Sequence, residues 1–181
     1  KLHAMLPVMR GGIPLKSHAH RADDIFTSLR IAKEFGVDIT LDHCTEGHLI
    51  AEELAAEQRP CLVGPTFGSK SKFELKNKCW DTPRALVEKG LKVAIITDAP
   101  VIPLKYLPLC AGLAMEAGLE EKEAWKAVTL NPAEITGIAH RVGSLTPGKD
   151  ADVVIYKGDP LKDMQCKTLV TIIDGKIVYK A

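Results

Sequence analysis

The chain has few aromatic residues, almost no net charge and no long apolar run, and each shortage removes a class of function. Aromatic residues make up 5% of 181 positions, and 24 basic residues are matched by 23 acidic ones. Nucleic-acid binding wants a basic stripe or stacking platforms, so no nucleic-acid partner is expected. A membrane-spanning helix takes about 20 consecutive apolar residues. No stretch reaches that length, and no membrane partner is expected either. The opening Lys1-Leu2-His3-Ala4-Met5 lacks a signal-peptide pattern, which makes the cytoplasm the expected compartment. The five cysteines, Cys44, Cys61, Cys79, Cys110 and Cys166, are an odd set without Cys-x-x-Cys spacing. A disulfide framework and a cysteine zinc site are both disfavoured, and reduced core thiols are expected, with Cys44 alone near the candidate site.

A hydrophobic content of 46% is enough for one sizeable core plus an appendage. Apolar runs ending at Ala19-His20, His43, Gly64 and Asp98 read as buried parallel strands. Helical periodicity fills the intervals: Ile25, Leu29, Ala32 and Phe35 up to Gly36, then about 46–58 and 82–89. Four strand-helix units of this kind predict an α/β body. Further helices are predicted over about 104–117 and 120–130, with a short one from Asn131-Pro132. Beyond Gly143 the texture changes to strands at 151–156 and 169–174, then Asp174-Gly175 as a two-residue hairpin turn before Lys176. Domain bounds of 1–142 and 143–181 follow. The loop from Pro65 to Asp81 is long enough for a substrate lid. Its lysines 70, 72, 76 and 78 read first as a solvated charge run, with anion binding the weaker alternative.

Three of the strand ends bear chemistry. His18 and His20 finish the first strand, His43 the second and Asp98 the last, and ligands of α/β proteins collect at such ends. Two imidazoles and a carboxylate on one rim suit zinc or a similar divalent ion. Asp98 should be buried, and a buried carboxylate wants a cation or several donors. A strand-end turn residue is the plainer role for it. His20, two residues beyond His18, should face the same side and contact substrate or a ligand. Asp42 should face away from His43 as a surface or helix-facing carboxylate. His3, His48 and His140 are expected at the surface.

The order of these strand ends, followed by Gly143-Ser144-Leu145-Thr146-Pro147-Gly148-Lys149-Asp150-Ala151-Asp152, resembles the metal-dependent amidohydrolase superfamily, and its imidazolonepropionase-like members most. The resemblance covers the whole chain but matches only the C-terminal half of such an enzyme. It implies strands 5 to 8 of a (β/α)8 barrel of the TIM type, and C-terminal strands of a small β-sandwich domain. It implies His18 and His43 as ligands of one or two zinc ions, and Asp98 as both a ligand and the catalytic base. The family's first-strand His-x-His pair has no counterpart, so the isolated chain is expected to be inactive. Its expected partners are the missing N-terminal half, or another copy, and a small-molecule substrate with a hydrolysable C–N bond. Dipeptides, hydantoin-like rings, imidazolones and amino-substituted heterocycles all qualify. Two alternatives stay open: a non-catalytic domain with a structural His/Asp network, and a metal-dependent phosphoesterase.

Overall fold

The computed structural model describes residues 2–181. Strands β1 (Leu15–Ala19), β2 (Ile39–His43), β3 (Cys61–Val63) and β4 (Val93–Ile95) form one parallel sheet in sequential order. The pairing sets Ala19 beside His43 and Val63 beside both His43 and Ile95, so all four strands finish at one level. Between them run α2 (Ala22–Phe35), α3 (Ala51–Glu57) and α4 (Thr82–Glu88), preceded in the chain by the single turn α1 (Leu6–Met9). Parallel neighbours need crossover connections of this kind, because a tight turn cannot reverse the chain and keep its direction.

The local sequence explains each segment. Helix α2 opens on Asp23 and Asp24, whose charge suits a helix N-terminus, and stops at Gly36, held in the left-handed region at φ 63°. Ile25, Leu29 and Ala32 recur at helical spacing and are buried against the sheet. Leu41, Leu54 and Leu86 are fully buried in the same core. Each such side chain contributes roughly 1.5–3 kcal/mol relative to exposure.

A second core lies beside β4. Helices α5 (Leu107–Glu116) and α6 (Glu121–Val128) gather Cys110, Ala111, Ala114, Ala124 and Ala127 against Ile95, and the short α7 (Leu130–Ile135) follows. Asn131 pins α7 to the strand, its side-chain amide donating to the Val93 carbonyl at 2.8 Å. Gly112 lets the backbone at Leu161 lie directly on α5, since a methyl group there would meet the Leu161 carbonyl oxygen at 2.1 Å.

The C-terminal strands β5 (Val153–Lys157), β6 (Lys167–Ile173) and β7 (Lys176–Lys180) make a separate antiparallel sheet. Asp174 and Gly175 turn β6 into β7 with φ of 50° and 73°, the paired positive values of the predicted hairpin. Element bounds differ from the sequence expectations mostly at the ends. The expected helices 46–58 and 104–117 each begin as a 3-10 turn, Gly47–Ile50 and Leu104–Tyr106, before becoming α-helical. The helix expected over residues 1–10 is a 3-10 turn, Leu2–Met5, followed by α1, and Lys1 lies outside the described residues. No helix of the described residues is long and apolar enough to cross a membrane.

Candidate metal centre

His18, His20 and His43 converge at the C-terminal ends of β1 and β2, each with a ring nitrogen within 4.8 Å of the others. Strand geometry does part of this. His18 and His20 are two residues apart, and alternation puts them on one side of the chain. His43 would be turned away by the same rule, being paired with Ala19 rather than with His18. The chain overrides alternation there: His43 and Cys44 both adopt positive φ, 73° and 43°, and the His43 ring reaches His18. Two successive non-glycine residues in that region are strained, and such strain collects at functional sites.

Hydrogen bonds fix the rings. His43 Nδ1 lies 2.6 Å from the Gly64 carbonyl oxygen, and a carbonyl can only accept, so Nδ1 holds the proton and Nε2 of the neutral ring is a bare lone pair. That lone pair lies 3.0 Å from His18 Nδ1. His20 stacks on His43 with centroids 4.5 Å apart and an interplanar angle of 12°, and its Nδ1 is 2.7 Å from Thr45 Oγ1. Burial, reinforced by the neighbouring His43, lowers the His20 pKa to about 4, so this imidazole is neutral at pH 7. Glu74 opposes that shift, its carboxylate standing 3.9 Å from His20 Nε2.

These residues fit a divalent ion. Two nitrogen ligands at the usual zinc distance in a tetrahedral site lie about 3.3 Å apart, close to the His18 to His43 separation. Ligand imidazoles are also commonly held by a hydrogen bond from the other ring nitrogen, as His43 is by Gly64.

The rings open onto a cavity of about 420 Å³, with Phe67, Glu74, Lys78 and Asp98 also in its wall. Asp98 is therefore at the expected rim but not in the imidazole cluster. Its expected burial is overturned: β4 ends at Ile95, Asp98 turns at φ 51° and its side chain is exposed, while Thr97 before it is buried. Asp42, expected as a surface or helix-facing carboxylate, is held by Thr40 Oγ1 at 2.9 Å and Lys16 Nζ at 2.7 Å, outside the cluster.

Two more expectations need correction. His48 is not solvated but bonded to Thr82 Oγ1 at 2.9 Å beside the Cys79 sulfur, and burial lowers its pKa. The loop lysines are not all a solvated run, because Lys78 is 9% exposed and points into the cavity wall. The loop folds back over the site through Glu46, which accepts from Asn77 Nδ2 and from the Ala22 backbone N–H, both at 2.8 Å. Gly64 and Thr45 were also missed as supports of the rings. Thr45, two residues past His43, could have been flagged, whereas a backbone carbonyl leaves no signature in sequence.

Comparison with known proteins bears on the family and the fold. The sequence model described as "Amidohydrolase family" matches residues 9–178. An amidohydrolase structure from Thermotoga maritima superposes with a TM-score of 0.93 at 42% identity, over 97% of this chain and 45% of that one. An imidazolonepropionase from Geobacillus thermodenitrificans is 40% identical over 148 residues, 80% of this chain and 34% of that protein. The fold is shared as well with an adenosine deaminase from Xanthomonas campestris with bound zinc, at a TM-score of 0.64 and 21% identity, covering 91% of this chain and 45% of that one. The chain thus spans less than half the length of these relatives. With a family match over nearly its whole length and an α/β fold built on a parallel sheet, the chain belongs to the amidohydrolase family.

Proposed function

We propose that this chain supplies one half of the catalytic rim of a metal-dependent hydrolase that cleaves C–N bonds in amides, cyclic amides or amidines. The convergence of three imidazole nitrogens within 4.8 Å at one wall of a cavity is the observation behind it. In this proposal the four parallel strands are half of a (β/α)8 barrel, and the C-terminal sheet is part of a small sandwich. The similarity to an imidazolonepropionase supports ring-opening of a cyclic amide-like substrate, and the zinc in a related deaminase supports zinc as the ion.

His18, His20 and His43 would hold the ion. A divalent ion held there would supply Lewis acidity to a water molecule and to the heteroatom bonded to the carbon under attack. The chain's own residues do the rest. The Gly64 carbonyl keeps the His43 proton on Nδ1 and leaves Nε2 free to ligate. Thr45 orients His20, and the low pKa of His20 keeps its lone pair available at neutral pH. Asp98, exposed on the same cavity, takes the proton from the attacking water and returns it to the leaving nitrogen. Apolar side chains of the loop, such as Phe67 and Leu75, line the cavity and limit its water.

Acting alone, the chain should turn over no substrate, because its donors come from one side of the cavity only. Zinc titration of the purified chain, followed by calorimetry, tests the site. Replacing His18 or His43 by alanine should weaken zinc binding at least tenfold. Unchanged affinity in both variants would remove the basis of the proposal.

A further inference from the structure

Lys78 is the unexplained residue of the cavity. It is a buried cation on a loop that is otherwise exposed through residues 67–73. Its Nζ donates to the carbonyl oxygens of Gly68 and Ser69, both at 3.1 Å. An ammonium has three donors, so one remains. Among the described residues no carboxylate lies within ion-pairing distance of it, whereas the neighbouring cavity lysine, Lys72, is 3.4 Å from Glu74. Burial accordingly depresses the Lys78 pKa, with the charge of Lys70 adding to the effect.

A loop clamp needs only a donor. Closing residues 68–69 onto residue 78 could be done by a neutral amide, without the cost of burying a charge that has no counter-charge. The charge wants an anion. The same cavity is also lined by the apolar side chains Phe67, Leu75 and Ile102. A ligand with an apolar body and an anionic end matches both features.

We propose that Lys78 is an anion-recognition residue and that the cavity takes small substrates bearing a carboxylate, which accepts the remaining N–H of the ammonium. This rests on the cavity being the substrate site proposed above. The carboxylate would anchor the substrate while its C–N bond lies toward the imidazoles. Such a buried contact also gives selectivity, since a neutral analogue leaves the cation unpaired.

The test is binding to the metal-free chain, which keeps it separate from zinc affinity and turnover. N-acetylglycine and its neutral counterpart N-acetylglycinamide are titrated by NMR at low ionic strength. The acid should bind at least tenfold more tightly than the amide, Lys78→Gln should reduce that ratio below about twofold, and Lys78→Arg should preserve it. In the unaltered chain the Lys78 13Cε resonance should move with the acid and not with the amide, a readout that survives even if Lys78→Gln fails to fold. Equal binding of the two probes, binding of neither, or a tenfold preference persisting in Lys78→Gln would overturn the proposal. A chain that binds zinc through His18 and His43 yet ignores the acid would refute the anion site and leave the hydrolase proposal standing.

Discussion

Replacing His20 by glutamine should flatten the acid side of the stability profile, and the size of the effect can be worked out from the fold. Burial, reinforced by the neighbouring His43, lowers the His20 pKa from 6.5 to about 4. An unfolded chain therefore binds a proton at this residue between those values that the folded chain refuses. Stability rises with pH wherever the unfolded state binds more protons, so the His20 penalty is absent above about pH 7 and grows as pH falls toward 4. For one site with these two pKa values the loss is about 0.8 kcal/mol at pH 6 and about 2 kcal/mol at pH 5. Glutamine keeps a polar contact to Thr45 but does not titrate. Urea unfolding of both proteins at pH 7.5, 6 and 5 isolates the effect, because titrating groups away from residue 20, His48 among them, contribute equally to each. The two curves should diverge by about 2 kcal/mol between pH 7.5 and 5, with the histidine protein losing more. Parallel curves over that range would show that His20 is not held as a neutral, buried ring, and the argument for an available lone pair would fail.

Other outcomes follow from the same geometry. Gly64→Ala should lower the urea midpoint by the equivalent of at least about 2 kcal/mol, since strained backbone adds to steric overlap. The reason is local: Gly64 sits at φ 138°, and an added Cβ would meet the Ile96 carbonyl oxygen at 2.0 Å. Gly137→Ala, at φ 75° with nothing within 4 Å, is the control, and it should show the smaller loss from backbone strain alone. In an active assembled enzyme, Asp98→Asn should reduce kcat by roughly 10²–10⁴, the usual contribution of a general acid-base group, with zinc content unchanged. Loss of zinc instead would make Asp98 a ligand, as its strand-end position first implied.

Much of the fold was legible because it is written in periodicity. The burial of Ile25, Leu29 and Ala32, the stop at Gly36 and the Asp174-Gly175 hairpin all appear where local rules put them. The strand-end histidines were legible for the same reason. What escaped was whatever depends on backbone departing from those rules or on distant chain. Alternation over β2 cannot show that His43 turns at positive φ toward His18, and a run of apolar residues cannot show that Asp98 leaves the strand into solvent. Lys78 looked like one of four solvated lysines. Only folding of the loop back on itself, with Gly68 and Ser69 brought to the ammonium, separates it from Lys70, Lys72 and Lys76.

The placement of the imidazoles also bears on what completes the site. His18 lies in β1, which is an edge of the parallel sheet, and His20 directly follows that strand; His18 is the exposed member of the cluster while His20 and His43 are buried. Donors from β2 and the loops thus enclose the cluster on one side, and the side beyond β1 is open. An edge strand in a parallel sheet has unpaired backbone groups along its free side, which is unusual in α/β proteins because their strands are normally covered or paired. Strand β4 is the opposite edge, but three helices pack around it, and Asn131 occupies the Val93 carbonyl. The two edges are therefore not equivalent: β1 is the one left without a comparable set of helices. Under the proposal above, further strands would pair along that free edge and bring additional donors to the far side of His18.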